Sequence, residues 1–85
     1  MKPTFLELRH LRTLLALKET GSVSMAAKRV YLTQSALSHQ IKLMEEQFGL
    51  PLFERKSNPL RFTAAGDRLI RLANEILPKV VDAER

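Results

Sequence analysis

Residues 33–49 carry the pattern of one amphipathic helix whose two faces differ in chemistry. Thr33 is a favourable N-cap and Gly49 is a typical helix stop. Apolar side chains recur between them at helical spacing, which predicts a stripe that packs on a core: Leu37, Ile41, Met44 and Phe48. A solvated helix face usually carries Glu and Lys, whereas this one begins with amide, hydroxyl and basic groups: Gln34, Ser35, Ser38, His39 and Lys42.

Two further helices are predicted before this segment. Residues Thr4–Glu7 have the pattern of a capping box, apolar residues follow at helical spacing, and Gly21 ends the first helix. A short second helix is predicted to begin at Ser22 or Ser24. Its paired Ala26–Ala27 indicates a tight crossing, because only small side chains fit where two helices approach closely.

Two short apolar segments around an Asn-Pro turn predict a small β-hairpin, the wing, at about residues 50–62. Thr63 is a suitable cap for a fourth helix that runs to the last residue. The predicted fold is mainly α: a winged helix-turn-helix of three helices and a hairpin, then a long linker helix. We place the winged domain at residues 1–63, its helix-turn-helix at about 23–42, and a dimerising linker helix at 64–85.

The distribution of charge points to the kind of partner. Fourteen Lys and Arg against nine Asp and Glu give a net charge of +5 in 85 residues, a length that allows one small domain. No Asp or Glu occurs from Thr20 to Met44 or from Arg55 to Gly66. Two basic stretches without acids favour a polyanion such as DNA over an evenly solvated basic surface.

We predict that the polar start of the helix after Thr33 enters the major groove of duplex DNA. The groups expected to contact base edges are those of Gln34, Ser35, Ser38 and His39. Thr33 and Lys42 are expected to contact the backbone, because helix N-termini and Lys both favour phosphate. The alternative is a merely solvated face, for which this composition is unusual.

Additional phosphate contacts are predicted from the wing and from the second helix. Arg55, Lys56 and Arg61 lie in the predicted wing, and Arg is favoured along the backbone or in a narrow minor groove. The alternative is that these charges protect a sheet edge against pairing. Lys28 and Arg29 suit a phosphate contact and a solvated helix end equally well.

The last helix has more apolar surface than a small domain covers. We predict that Leu69, Leu72 and Ile76 pack on the domain, and that a second set faces a partner chain: Ile70, Ala73, Leu77, Val80 and Val81. Two copies would place two recognition helices on successive major grooves. The alternative is a helix that packs wholly on its own domain.

Several function classes lack support in this sequence. It contains no Cys, two separated His residues and three Gly, so no metal site, cofactor site or catalytic set is expected. His10 lies on a helix with an apolar stripe and is expected to be structural. A winged helix that binds an acidic protein is the main alternative to DNA binding, and RNA binding is disfavoured because aromatic residues are few. We expect a cytoplasmic protein, since no signal peptide is recognisable.

The stretch from Ala26 to Glu45, AAKRVYLTQSALSHQIKLME, resembles the helix-turn-helix signature of LysR-type bacterial transcription regulators. Flanking segments agree with the same family: Gly21–Val23, Glu45–Gly49, Leu52–Arg55 and Phe62–Gly66. The resemblance implies that the predicted base-contacting residues lie where family members read bases, and that Arg55 lies on the wing. It implies a homodimer through the linker helices, paired again as a tetramer in a complete regulator.

Family members normally continue into an effector-binding domain. The 85 residues contain none, so we expect that domain to be absent here. Segments Gln34–Gln40 and Arg55–Thr63 resemble in particular the family members that regulate methionine biosynthesis, whose effector is homocysteine. Departures from the common family pattern occur at Ser35, His39 and Asn58, where relatives often have Pro, Arg and Arg.

Overall fold

The computed structural model describes residues 4–54 and 59–85. The described part of the chain forms four helices: α1 (Leu8–Thr20), α2 (Val23–Arg29), α3 (Gln34–Phe48) and α4 (Ala64–Glu84). The arms of the predicted wing are joined by an isolated antiparallel bridge between Phe53 and Phe62, and no longer strand forms within the described ranges. The prediction of a mainly α fold is confirmed, while the tip of the predicted hairpin lies outside the described residues.

The core lies between the four helices, where α1 contacts α2 and α4 and α2 contacts α3. Its fully buried large side chains come from α1, α3 and the first arm of the wing: Leu14, Leu17, Leu37, Met44 and Leu52. Ala26 and Ala27 are buried as well, which confirms the close crossing of α2 predicted from their small size. Burial of each large aliphatic side chain stabilises the fold by about 2 kcal/mol, so a core of this size supports one small domain.

The N-terminal boundary of α1 was predicted wrongly. The helix begins at Leu8 with Glu7 as its N-cap, three residues after the predicted cap Thr4. The reason is tertiary packing of the preceding segment, because the Phe5 ring lies edge-on to Phe48 at a centroid distance of 4.8 Å, and Leu6 packs against the core. These contacts hold the chain before Glu7 out of the helix.

His10 is structural, as predicted. Its ring is buried on α1, and its Nδ1 accepts a hydrogen bond of 3.0 Å from the Glu7 backbone N–H. Burial lowers the pKa of His10 below its usual value of 6.5; the Glu7 carboxylate opposes this effect and the Arg9 guanidinium adds to it. The folded state therefore favours the neutral ring, because only the neutral ring has a free lone pair on Nδ1 to accept the hydrogen bond from the Glu7 N–H.

The predicted orientation of α4 is wrong for Ile70 and Ala73, whereas Leu69 packs inward as predicted. Ile70 and Ala73 are buried against the chain's own domain, 5% and 0% exposed, so they cannot face a partner. Leu77 lines a groove beside Leu15 of α1. Leu72 and Ile76, predicted to pack inward, are half-buried outside the core cluster, although Leu69 does pack against that cluster.

The physical reason is the close approach of α4 to the wing at its first turn. A Cβ atom at Gly66 would overlap the Leu52 carbonyl and the Phe62 ring, so α4 can come this near only with glycine there. Ile70 and Ala73 lie on the same side of the helix as Gly66 and are therefore turned inward.

Although α4 has 21 residues, no helix in the described ranges is long and apolar enough to cross a membrane.

We expect Gly66→Ala to destabilise the chain by more than about 2 kcal/mol, because the added methyl overlaps backbone that cannot move cheaply. Gly49→Ala is the matched control, since Gly49 has a φ of +70° and no atom within 4 Å of an added Cβ. Its cost is expected to be about 1 kcal/mol of backbone strain alone. Urea denaturation measures the free energy of unfolding of both variants. Equal losses would contradict the close approach of α4 to Leu52 at Gly66.

Stability is expected to depend on pH through His10. The unfolded chain takes up a proton near the ordinary pKa of 6.5, while the folded chain does so only at lower pH, so the His10 contribution is complete above 6.5 and lost as pH falls through the folded pKa. The difference in unfolding free energy between wild type and His10→Gln is therefore expected to shrink from about pH 7.5 to about pH 5. A constant difference over this range would show that His10 titrates alike in both states.

Candidate nucleic-acid interface

The N-terminus of α3 is built from local hydrogen bonds. Thr33 adopts an extended backbone and its Oγ1 accepts from the Ala36 N–H at 3.0 Å, which confirms the predicted cap. Helix geometry leaves the N–H groups of Gln34 and Ser35 without acceptors inside the helix. No acidic residue occupies the first turn, so the positive end of the helix dipole is not offset there.

The predicted base-contacting residues share one exposed face of α3. We call this the recognition face, and all its side chains are solvent-exposed: Gln34, Ser35, Ser38, His39 and Lys42. The other side of the helix supplies Leu37, Ile41 and Met44 to the core. Phe48, predicted in the same stripe, is 36% exposed and packs against the Phe5 ring at the end of the helix. Packing of that stripe therefore turns the recognition face away from the domain, where hydrogen-bonding groups can meet a large external partner.

The base of the wing lies beside the recognition face. Ser38 and Lys42 of α3 line a cleft of about 360 Å³ together with Phe53 of the first wing arm. The Phe53 and Phe62 rings pack edge-on at 6.2 Å, and the Glu54 N–H donates to the Arg61 carbonyl at 2.8 Å. Arg61 is exposed on the second arm. Arg55 and Lys56, the other predicted wing contacts, lie outside the described residues.

The two basic residues in the last turn of α2 lie in different environments. Lys28 is exposed on the last turn of α2. Arg29 donates from Nη1 to the Glu19 carboxylate at 3.0 Å, and both side chains are about half exposed. An exposed ion pair of this kind is weak, so Arg29 can exchange Glu19 for another anion at little cost.

Arg29 also belongs to a second basic region beside the turn between α2 and α3, whose other members were not among the phosphate contacts predicted from the sequence. Arg9, Arg12 and Arg29 line a notch of about 340 Å³ next to Tyr31. Tyr31 has a φ of 59° and its ring is 95% exposed, so this side chain contributes nothing to the core. The spacing of Arg9 and Arg12 on one helix face was the available signal.

Glu45 is a second residue that sequence analysis missed. Its Oε2 accepts a hydrogen bond of 2.7 Å from the Leu52 N–H, which links α3 to the start of the wing. A contact between residues seven positions apart in different elements has no local sequence signal.

Among the described residues, no group of three or more His, Asp and Glu side chains is placed to hold a metal ion.

Comparison with known proteins places this architecture in a family. Residues 8–67 match the family model described as the bacterial regulatory helix-turn-helix protein of the lysR family. The chain is 89% identical over all 85 residues to the HTH-type transcriptional regulator MetR of Haemophilus influenzae. It covers 28% of that protein, and 25% of the Escherichia coli MetR, so it spans about a quarter of the length of these curated relatives.

Solved structures with the same fold include DNA complexes. The DNA-binding domain of BenM in complex with benA site 1 DNA superposes with a TM-score of 0.85 at 37% identity, covering 92% of this chain and 88% of that one. The CbnR DNA-binding domain in complex with DNA gives a TM-score of 0.81 at 30% identity, with coverages of 93% and 91%. The family match extends over most of the residues that form the four helices, and the chain therefore belongs to the LysR family of bacterial regulatory helix-turn-helix proteins.

Proposed function

We propose that this chain binds double-stranded DNA in a sequence-specific manner, as the DNA-binding domain of a LysR-type transcriptional regulator. In this proposal α3 enters the major groove and the wing lies at the adjacent backbone or minor groove. The observation that carries the proposal is the exposed recognition face without acids, held outward by the core stripe of α3. The similarity to family domains solved with DNA supports it. No catalytic step is part of the proposal.

The chemistry of the recognition face suggests a role for each side chain. The Gln34 amide can donate to and accept from one adenine, which is the usual pairing for this side chain. Ser35, Ser38 and His39 can donate to base edges or phosphates according to their depth in the groove. The Thr33 Oγ1 already accepts from Ala36, so its hydroxyl proton remains for a phosphate oxygen.

Lys42 and the basic residues around the recognition face are proposed to bind phosphate. Lys42 lies one turn after Ser38, where the backbone would flank a helix in the groove. The wing residues Arg55, Lys56 and Arg61 are proposed to contact the next stretch of backbone. Lys28, with Arg29 after release of Glu19, would extend this positive surface along the DNA.

The regulated genes are proposed to be those of methionine biosynthesis. The support is the high identity to regulators named MetR, together with the two sequence segments that resemble this branch of the family. Homocysteine is proposed as the effector of a complete regulator. It would bind a separate effector domain, because residues 1–63 are proposed to form the DNA-binding unit and 64–85 the linker.

We also propose a homodimer through α4, with a corrected contact face. Leu72 and Ile76 are half-buried outside the core cluster and lie on a different side of α4 from Gly66 and Ile70. Val80, also half-buried, continues this row from Ile76 toward the Gly66 side. Val81, 48% exposed, lines the groove beside Leu15 and Leu77 and lies outside this surface. Pairing of two such stripes would bury apolar area that a single domain leaves in water. A tetramer is proposed only for a complete regulator.

Replacement of Gln34 is expected to weaken discrimination between DNA sequences. Gln34→Ala should cost about 1–3 kcal/mol on duplexes selected by the wild type from a random pool, with little change on random DNA. Gln47→Ala is the matched control, because Gln47 is exposed on α3 away from the recognition face. Fluorescence anisotropy measures both affinities, and equal losses on selected and random DNA would contradict a base-reading role.

Replacement of Lys42 is expected to weaken binding to all DNA sequences alike. Loss of one phosphate contact should reduce the slope of log affinity against log salt concentration by about one unit or less. Lys79→Ala removes an equal charge from an exposed position on α4 and serves as the control. If Lys42→Ala changed base preference while the salt slope stayed the same, the phosphate assignment would be wrong.

A charge on the outward stripe of α4 is expected to disrupt dimerisation. Ile76→Glu should shift the chain toward monomer in sedimentation analysis and abolish cooperative binding to paired half-sites, while leaving affinity for one half-site unchanged. Asn74→Glu introduces the same charge at an exposed position outside this stripe. A dimer that survives Ile76→Glu but not Asn74→Glu would place the contact on the other side of the helix.

A further inference from the structure

Glu45 is an acid in a surface that otherwise favours polyanions. It is the first Asp or Glu after the acid-free stretch from Thr20 to Met44, and it lies one turn after Lys42. A carboxylate at this position repels nearby phosphate groups, which lowers the affinity for DNA of any sequence. We therefore expect a favourable contact of the Glu45 carboxylate that offsets this repulsion.

The hydrogen bond from Leu52 supplies such a contribution. Glu45 Oε2 lies 2.7 Å from the Leu52 nitrogen, a distance typical of a strong hydrogen bond to a charged acceptor, and the Glu45 side chain is half-buried. Glu45 and Lys42 both line the cleft between α3 and Phe53. The carboxylate thus connects the helix that carries the recognition face to the first arm of the wing.

Leu52 is also bound from the other side, by the start of α4. Its carbonyl accepts from the Thr63 N–H at 3.0 Å, and the Thr63 hydroxyl donates to the Pro51 carbonyl at 2.7 Å. The Leu52 side chain is fully buried in the core. The base of the wing is therefore held between α3 and α4, and Glu45 provides the polar contact on the α3 side.

We propose that Glu45 is a positioning residue for DNA recognition, which fixes the wing relative to α3 so that both elements meet the same duplex in register. This inference rests on the proposed DNA-binding function. Without the Glu45 contact, the wing would sample several angles, and ordering it on DNA would cost entropy that the wild type does not lose. Glu45 itself makes no contact with DNA in this proposal.

The two effects of removing Glu45 have opposite signs, which makes the proposal testable. Loss of the negative charge strengthens binding to any DNA, whereas loss of the wing contact weakens binding to the selected site. Glu46 is the matched control, because it is an exposed glutamate at the next position of α3 and, among the described residues, its side chain makes no hydrogen bond to the wing. Glu46→Ala therefore reports the charge effect alone.

The experiment compares Glu45→Ala, Glu45→Gln and Glu46→Ala in the whole chain. Duplexes that the wild type selects from a random pool and random duplexes of equal length are the probes. We expect Glu46→Ala to leave the ratio of selected to random affinity unchanged. Glu45→Ala should lower that ratio about tenfold, the loss that corresponds to one hydrogen bond to a charged group. Glu45→Gln should recover part of it, because its amide oxygen can still accept.

Two readouts separate positioning from a general loss of stability. Hydrogen exchange of the Leu52 amide should be about tenfold faster in Glu45→Ala than in Glu46→Ala, while exchange of α1 amides stays the same. Hydroxyl-radical footprints should lose protection at the edges of the site, where the wing binds, and keep it at the centre, where α3 binds. If Glu45→Ala does not fold, Glu45→Gln replaces it, with changes in the same direction but smaller, because its amide oxygen is a weaker acceptor than a carboxylate.

The failures of the two proposals are distinguishable. A wild type that does not discriminate selected from random DNA would refute the proposed function. A wild type that discriminates, with Glu45→Ala and Glu46→Ala alike in affinity ratio and in Leu52 exchange, would refute the positioning role alone. A slower Leu52 exchange in Glu45→Ala would refute it as well.

Discussion

The position of α3 depends on how closely α2 packs, and two alanines set that distance. Ala26 and Ala27 are buried where α2 crosses its neighbours, and larger side chains would push α2 outward. Because α3 follows α2 after a turn of four residues, a displaced α2 would displace the start of α3. The recognition face can stand outward only because the opposite stripe, Leu37, Ile41 and Met44, is fully used by the core.

Several of the nine acidic side chains make contacts within the chain. Glu7 caps α1, Glu19 pairs with Arg29, and Glu45 holds the wing. None of these acids lies on the recognition face. The same number of acids spread evenly over the surface would give the same net charge of +5 but would repel phosphate from α3. The placement of charge, more than its total, therefore suits the chain to bind DNA.

The parts of the fold that sequence predicts well are those governed by local contacts. Ser22, Thr33 and Thr63 cap their helices through hydrogen bonds to residues three positions later, so each cap can be recognised from a short stretch. The start of α1 was missed because Phe5 packs on Phe48, which is 43 positions away and gives no local signal. Glu45 was missed for the same reason, since a carboxylate that binds a distant backbone amide looks like any surface acid.

The error in α4 has a different origin and a structural consequence. Two apolar stripes overlap on this helix, and only the close approach of Gly66 to Leu52 decides which one turns inward. Leu52 is also the residue that Glu45 and Thr63 bind. One buried residue therefore fixes both the wing and the rotation of α4 about its axis. In the proposed dimer, the rotation of α4 sets which stripe pairs and hence the separation of the two recognition helices. In that dimer, we therefore expect a change in the packing of Leu52 to affect both the wing angle and the half-site spacing.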